Sequence, residues 1–262
     1  MFRALYTAAS GMIAQQTNLD NVANNLANAS TTGFRFRRVQ FQDLMYQSVV
    51  MPGSATTQQT VSSGLQVGLG TMAASTEVIQ AQGDFTSTGN TLDLAIQGNG
   101  FFQIKLPNGE TAYTRNGNFQ LDSQGNVVTS DGNPLVPSIN IPSNATSVTI
   151  GSDGTVSVTQ PGQTKSQQLG QIQLATFPNP GGLNSLGSNL FLPTTASGDA
   201  LVDVPGGNGG LGTLQQGMLE QSNVSLVNEF VQMILAQRSY ESNSRALSAA
   251  DQMLQQLNSL GR

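Results

Sequence analysis

The sequence predicts an α+β fold with long N- and C-terminal helices forming a coiled-coil-like inner layer. A central antiparallel β domain, a small barrel or sandwich, is expected between them. Apolar residues that recur every seven positions near both chain ends predict the helices. Short β-forming segments separated by Asn-Gly and Asp-Gly turns predict the β domain. The predicted domains are a terminal helical domain (1–30 plus 223–262), connecting segments (31–74 plus 205–222) and a β-rich domain (75–204).

The N-terminal helix carries two parallel stripes. Its apolar heptad residues are Leu5, Met12, Leu19 and Leu26, and Ala8, Gln15 and Val22 follow three residues after the first three of these. The second stripe consists of Asn18, Asn21, Asn25 and Asn28. Asparagine is a poor helix former because its amide competes for backbone hydrogen bonds, so this stripe favours a face that bonds to neighbouring helices. The alternative is a solvated polar face on an ordinary surface helix.

The C-terminal helix mirrors this pattern, with Leu226, Met233, Tyr240, Leu247 and Leu254 seven residues apart. Ala236, Ala250 and Leu257 fill intermediate positions, Phe230, Val231 and Ile234 widen the stripe, Asn223 is the predicted N-cap and Gly261 ends the pattern. We predict that the two helices pair as antiparallel or stacked partners. The heptad residues and the asparagine stripe are the predicted subunit interface. Asn, Ser and Gln weaken both helices, which are therefore expected to order when other subunits cover them.

Turn dipeptides punctuate the middle of the chain at Asn108-Gly109, Asn116-Gly117, Gly125-Asn126, Asp131-Gly132 and Asp153-Gly154. The strands predicted between and after them are 101–106, 111–115, 118–121, 126–130, 147–151, 155–159 and 171–177. Within the first strand, Phe101 and Phe102 are expected on opposite faces, with at least one ring in the core. Two polar, Gly-rich stretches, 47–70 and 193–213, are predicted to be flexible segments.

Composition excludes much enzyme chemistry. The 262 residues include no His, Cys or Trp, which removes disulfides, zinc–thiolate sites and imidazole acid–base catalysis. The net charge of −5 disfavours nucleic acid as a partner, and no apolar run is long enough for membrane insertion. The start, Arg3 followed by Ala4–Ala14, is interrupted by Thr7 and Ser10, so no cleavable signal is predicted. No metal, cofactor or catalytic residue is predicted.

Acidic residues in the β domain leave open a carboxylate-based glycan hydrolase. The candidates are Asp84, Asp93, Glu110, Asp122, Asp131 and Asp153. Asp122, Asp131 and Asp153 stand at positions where Asp shapes turns. Arg35, Arg37 and Arg38 form the one basic cluster in the sequence, and a solvated strand edge is favoured there over a phosphate site.

Four segments together resemble the bacterial flagellar axial proteins of the rod and hook. They are NNLANASTTGFRF (24–36), DLAIQGNGFFQI (93–104), AYTRNGNFQLDSQGNVV (112–128) and NEFVQMILAQRSYESNSRAL (228–247). Residues assigned to the family motif by this resemblance are Asn24, Asn25, Leu26, Ala27, Asn28, Gly33, Phe34, Gly98, Gly100, Phe101, Phe102, Tyr113, Thr114, Arg115, Arg238 and Tyr240. The polar stretch 47–70 is similar to an insertion of distal rod members.

The resemblance implies a structural subunit that self-assembles into a hollow helical drive shaft carrying torque from motor to hook. Its implied partners are further copies of itself, proximal rod proteins, the hook protein or junction, the L- and P-ring bushing and the flagellar type III export apparatus. It also implies a location in the basal body, with the rod spanning the periplasm. A proximal rod or hook paralogue, and a secreted carbohydrate-binding or glycan-hydrolysing β protein, remain as alternatives.

Overall fold

A computed structural model describes residues 2–51, 55–56, 59–60, 64–162, 165–207 and 209–260. The helices are α1 (Phe2–Ala27) and α2 (Leu226–Leu260), with a short 3-10 helix at Pro180–Gly182. The strands in chain order are β1 (Arg37–Asp43), β2 (Tyr46–Val50), β3 (Ala55–Thr56), β4 (Gln59–Thr60), β5 (Leu65–Gly68), β6 (Thr71–Val78), β7 (Phe85–Ser87), β8 (Leu94–Gln97), β9 (Phe101–Lys105), β10 (Thr111–Thr114), β11 (Phe119–Leu121), β12 (Val127–Thr129), β13 (Leu135–Val136), β14 (Ser147–Ile150), β15 (Thr155–Thr159), β16 (Gln167–Gln171), β17 (Leu174–Thr176), β18 (Asn184–Gly187), β19 (Leu190–Leu192), β20 (Leu201–Asp203), β21 (Thr213–Gln216) and β22 (Met218–Glu220). The chain divides into two compact units: the first holds α1, β1–β6 and α2, and the second comprises Asn28–Phe36 and Ile79–Val224.

The two helices of the first unit pack against each other in opposite directions. A Cβ placed on Gly11 of α1 would lie 2.8 Å from the Asn243 side-chain nitrogen of α2. Fourteen residues further along α1, Asn25 bonds to Glu229, which is fourteen residues back along α2. The pairing is therefore antiparallel, and glycine at position 11 allows the helices to approach closely despite its low helix propensity.

Residues 37–78 of the first unit fold back on themselves in nested antiparallel pairs. β1 pairs with β6, β2 with β5, and β3 with β4. Part of the stretch 47–70, predicted to be flexible, is therefore regular strand, whereas residues 52–54, 57–58 and 61–63 lie outside the described part of the chain. In the second unit, the stretch 193–213 likewise contains β20. The predicted helix-ending Gly261 and the Leu257 side chain also lie outside the described residues.

The second unit is built around β9. One edge of β9 pairs with β10, and the other pairs with β17 at its start and β13 at its end. The strand order β18-β19-β10-β9-β17-β20 leaves different strands at its two edges, so this sheet is open and the expectation of a closed barrel is wrong. Phe102 packs in one buried cluster and Phe101 in another, as expected for consecutive residues on opposite faces of a strand.

The predicted antiparallel strands are confirmed with one exception. The hairpin β9–β10 forms across Asn108-Gly109, and β14–β15 forms across Asp153-Gly154. The predicted single strand 171–177 is wrong, because Gln171 ends β16 on β15 whereas β17 joins β9 in a different sheet. The chain must turn between them, and the Ile172 amide donates instead to the Gly154 carbonyl at 2.8 Å. The α+β fold with a helix at each end is confirmed.

Candidate subunit interface

The predicted heptad residues form a partly covered seam in the first unit. On α1, Val22 is buried, and Leu5, Met12, Leu19 and Leu26 are half-buried. On α2, Met233, Leu247 and Leu254 are half-buried, whereas Leu226 and Tyr240 are exposed. Ala236 and Ala250 are buried, so the closest part of the seam is made by small side chains. The helix pair thus leaves apolar surface on both members of the seam.

Two asparagines of the predicted stripe connect α1 to β1 and α2. The Asn25 side-chain amide donates to the Arg37 carbonyl at 2.8 Å and to Glu229 Oε2 at 3.1 Å, and its oxygen accepts from the Arg37 amide at 3.1 Å. Asn21 also donates to the Arg37 carbonyl at 2.8 Å. Asn25 and Glu229 are both buried, so their polar groups depend on these bonds. Asn18 and Asn28 are half-buried.

A second apolar face of α2 is turned to solvent. Its members are Val227, Phe230, Val231, Ile234 and Leu235. The spacing of three and four residues places them on one side of the helix, and Val227 and Ile234 are 72% and 56% exposed. Three of these residues were recognised from the sequence as widening the heptad stripe, but their exposure was not. These side chains form a contiguous exposed apolar patch, a kind of surface that marks protein–protein contacts.

Other exposed apolar side chains of the first unit lie on α1 and on the paired strands. Tyr6 and Ile13 stand seven residues apart on α1 and are both exposed. Met45, Tyr46, Val49, Met51 and Leu65 are exposed in and around β2 and β5. Sequence reasoning missed Tyr6 and Ile13, although their seven-residue spacing, one position after Leu5 and Met12, was a visible signal.

Several family-motif residues meet at Arg115 in the second unit. Its guanidinium donates to the carbonyls of Ile96 at 2.8 Å, Gly98 at 2.6 Å and Gly100 at 2.5 Å. Gly98 and Gly100 have φ of +106° and +134°, conformations that side chains with a Cβ rarely adopt. The glycines thereby allow the loop between β8 and β9 to wrap its carbonyls around one buried cation.

Glu220 joins Arg115 to Arg35. Its two carboxylate oxygens accept from Arg35 Nη1 at 2.7 Å and from Arg115 Nε at 2.6 Å, and the Gly83 amide donates to it at 2.9 Å. The side chains of all three charged residues are at most 3% exposed. Burial lowers the Arg115 pKa, and the charge of Glu220 opposes that shift. We call Arg35, Arg115 and Glu220 the buried ion cluster.

The buried ion cluster corrects the expected solvated edge for the basic run. Arg35 is buried, whereas Arg38 pairs on the surface with Glu77 at 2.9 Å. Sequence reasoning missed Glu220, which lies in the predicted connecting segment 205–222. Its partners are 185 and 105 residues away along the chain, and no local pattern links them.

The remaining motif residues are distributed over both units. Gly33, at φ +69°, donates its amide to the Glu220 carbonyl at 2.9 Å, and Phe34 beside it is half-buried. Tyr113 packs edge-on against Phe177 with ring centroids 4.8 Å apart. The Thr114 hydroxyl donates to the Asn189 carbonyl at 2.7 Å. Asn24, Ala27 and Arg238 are exposed on the helices.

The acidic turn residues are engaged as the sequence predicts. Asp122 accepts hydrogen bonds from the Asn126 side chain and from the amides of Asn126 and Gln124, and these bonds lower its pKa. Asp153 accepts from the Thr155 hydroxyl and amide, which likewise lower its pKa. Both carboxylates therefore shape turns.

The chain has a helix at each end, a central β-rich unit and sequence segments that resemble those of flagellar axial proteins. Comparison with known protein families supports this resemblance. Residues 5–35 match the flagella basal body rod protein family, residues 95–158 the flagellar hook protein FlgE/F/G D1 domain, and residues 215–260 the flagellar basal body rod FlgEFG protein C-terminal family. The matched ranges include the asparagine stripe, the loop held by Arg115, and Glu220 with α2.

Full-length relatives extend the match over almost the whole chain. The flagellar basal-body rod protein FlgG of Caulobacter vibrioides is 51% identical, covering 97% of both chains. FlgG of Buchnera aphidicola from Acyrthosiphon pisum is 48% identical, covering 99% of this chain and all of the relative, and FlgG of Bacillus subtilis is 43% identical with complete coverage of both. The chain belongs to the family of flagellar basal-body rod and hook proteins. It is a structural subunit of the distal rod and not an enzyme. No helix in the described part of the chain is long and apolar enough to cross a bilayer.

Proposed function

We propose that this rod subunit polymerises into a hollow helical shaft through the exposed faces of α1 and α2. In this assembly, α1 and α2 of successive subunits stack around the axis and leave a lumen through which later subunits pass. The shaft spans the periplasm and transmits torque to the hook. The heptad residues and the asparagine stripe remain the predicted interface, and the exposed apolar face of α2 is added to it.

The observation that carries this proposal is the exposed apolar face at Val227, Phe230, Val231, Ile234 and Leu235. Fully burying such a side chain contributes about 1.5–3 kcal/mol, so covering five that are about half exposed yields roughly 4–8 kcal/mol. Association costs an estimated 4–15 kcal/mol in lost translational and rotational freedom. One such contact is therefore marginal. A helical lattice, in which each subunit contacts several neighbours, provides the additional buried surface and makes growth cooperative.

The stretch 47–70 is proposed to stiffen the shaft by contacting neighbouring subunits. Its described strands β2 and β5 pair with each other and expose Tyr46, Val49 and Leu65, which supports a role in contacts with another chain. Deleting residues 47–70 should leave the second unit folded and produce a more flexible filament. Electron microscopy of the deletion variant measures filament curvature, and filaments as straight as the wild type would contradict this role.

The rod also requires partners at both ends and around its surface. We propose that proximal rod proteins and the hook or its junction continue the same helical stack. The L- and P-rings form the bushing around the shaft, and the low content of charged residues, 10% of the chain, limits electrostatic adhesion to it. We also propose export through the flagellar type III apparatus, which agrees with helices that gain much of their stability after assembly.

A pair of single-charge variants tests polymerisation through α2. Ile234→Glu places a carboxylate on the apolar face and should raise the critical concentration for polymerisation at least ten-fold. Gln120→Glu adds the same charge at an exposed position of β11 in the second unit and should change it less than three-fold. Sedimentation measures the polymer, and circular dichroism checks that both variants keep their fold. Equal critical concentrations for the two variants would refute the proposed interface.

A further inference from the structure

A polar cavity of about 210 Å³ lies beside the buried ion cluster, wholly within the second unit. Arg35, Arg115, Gln80 and Gln82 contribute polar groups to its lining, and Phe101 and Phe177 contribute aromatic rings. Pockets for drug-sized ligands usually measure about 300–1,000 Å³, so this one suits a small ion or a single side chain. The structural role described for the ion cluster does not account for this cavity.

Two residues that line this cavity each carry a buried donor with no hydrogen-bond partner within the described residues. The two donors are Arg35 Nε and Gln80 Nε2. By contrast, the Gln82 amide donates to the Ile96 carbonyl at 2.6 Å and accepts from the Gly98 amide at 3.1 Å, and the Arg115 guanidinium makes four hydrogen bonds. Buried donors in native proteins are rarely left unpaired, so these two indicate an acceptor that the chain itself does not supply.

The charge of the cluster indicates the sign of that acceptor. Arg35 and Arg115 carry two positive charges, whereas Glu220 supplies one negative charge to both of them. No second carboxylate of the described residues pairs with either guanidinium, so one positive charge is left uncompensated among side chains that are at most 3% exposed. The repulsion between the two guanidinium groups contributes to lowering the Arg115 pKa, after the larger effect of burial. A second anion would complete the pairing, because buried charges are stable only when paired.

We propose that the cavity beside Arg35 and Gln80 binds a small oxyanion, either a carboxylate or phosphate. Carboxylate and phosphate oxygens accept several hydrogen bonds at once and match both a guanidinium Nε–H and a side-chain amide. The occupant is a free ion or a carboxylate side chain of a second copy. The Phe101 and Phe177 rings would pack against the aliphatic part of such a side chain.

Thermal unfolding of the full chain tests the site, with inorganic phosphate as the probe and sodium chloride at equal ionic strength as the reference. Phosphate at a few times its dissociation constant should raise the Tm of the wild type by roughly 2–4 °C in a saturable manner. Gln80→Glu supplies a carboxylate at the cavity and should abolish the response, and Gln80→Leu removes the donor and should weaken it several-fold. Gln120→Glu, the same change at an exposed position of β11, should respond as the wild type does.

Two results would overturn the oxyanion site: a wild-type Tm that responds equally to phosphate and chloride, or Gln80 variants that retain the full response. Sedimentation of the polymer then identifies the source of the anion. This second experiment rests on the proposed polymerisation, whereas the melting experiment is independent of it. A carboxylate from a second copy predicts that phosphate and Gln80→Glu both reduce the sedimented polymer. A free ion predicts that phosphate leaves the sedimented fraction unchanged while still raising the Tm.

Discussion

Replacing Glu220 with glutamine removes the one carboxylate that holds Arg35 and Arg115 together in the second unit. The substitution keeps the size of the side chain and exchanges one charged oxygen for an amide nitrogen. That nitrogen cannot accept the hydrogen bond that one of the guanidinium groups now donates at 2.6 or 2.7 Å. The variant therefore leaves two buried cations facing each other without a counter-charge.

The structure sets the expected size of this effect. Removing one partner of a buried ion pair typically costs about 3–5 kcal/mol, because the remaining charge stays buried and unpaired. Glu220 has two such partners, and its side chain is 1% exposed, so Glu220→Gln should lose at least about 3 kcal/mol of unfolding free energy. Glu77→Gln breaks the Arg38–Glu77 pair, whose side chains are 57% and 44% exposed, and should lower the unfolding free energy far less because solvent screens this pair.

Urea unfolding of the two variants and the wild type, followed by circular dichroism, measures these free energies. The second unit should unfold at a clearly lower urea concentration in Glu220→Gln, and Glu77→Gln should remain close to the wild type. If Glu220→Gln is destabilised by no more than Glu77→Gln, the buried ion cluster does not stabilise the second unit.

Three further predictions follow from other contacts. Asn25→Ala removes the hydrogen bonds to the Arg37 backbone and to Glu229 and should cost about 2–3 kcal/mol of unfolding free energy, whereas Gln16→Ala at an exposed position of α1 should be nearly neutral. Equal unfolding free energies of the two variants in denaturant melts would contradict this. Gly117→Ala would place its Cβ against the Leu94 backbone carbonyl and should prevent stable folding, whereas Gly132→Ala, with open space around it among the described residues, should cost about 1 kcal/mol of positive-φ strain. Equal melting temperatures of the two variants would contradict this. Hydrogen bonds from the Asn126 side chain and backbone lower the Asp122 pKa in the folded chain, so its contribution to stability is present above the unfolded pKa and is lost as the pH falls through the folded value. Asp122→Asn should therefore flatten the loss of stability on acidification, and an unchanged slope in acid titrations followed by circular dichroism would contradict this.

Local features of the sequence predicted the elements whose causes are local. Asn-Gly at 108–109 and Asp-Gly at 153–154 fix two hairpins, because the turn residues and the flanking alternation act within about ten residues of each other. Heptad spacing predicted both helices for the same reason. The break between β16 and β17 was not predictable from alternation, because it depends on which distant strand each half of the segment joins.

The candidate interface was predicted only in part. The heptad pattern located the half-buried seam, but it could not show that Val227, Ile234 and Leu235 point away from α1. Glu220 was missed because its meaning comes from two arginines distant in sequence. Arg35 was assigned to a surface edge because three arginines within four positions resemble a solvated run, and burial of only one of them is decided by tertiary packing.

The reactivity of a thiol on the exposed apolar face of α2 tests most directly whether subunits assemble through this face. A single thiol can be introduced there because the chain contains no cysteine. Ile234→Cys and, as a control at the exposed last residue of β9, Lys105→Cys would be labelled with a maleimide as dilute subunits and as assembled filaments. If α2 contacts neighbouring subunits through this face, the labelling rate at position 234 should fall at least ten-fold on assembly, while the labelling rate at position 105 should change less than two-fold. Equal labelling of position 234 in subunit and filament would show that this face stays open to solvent, and that the shaft is built through a different surface.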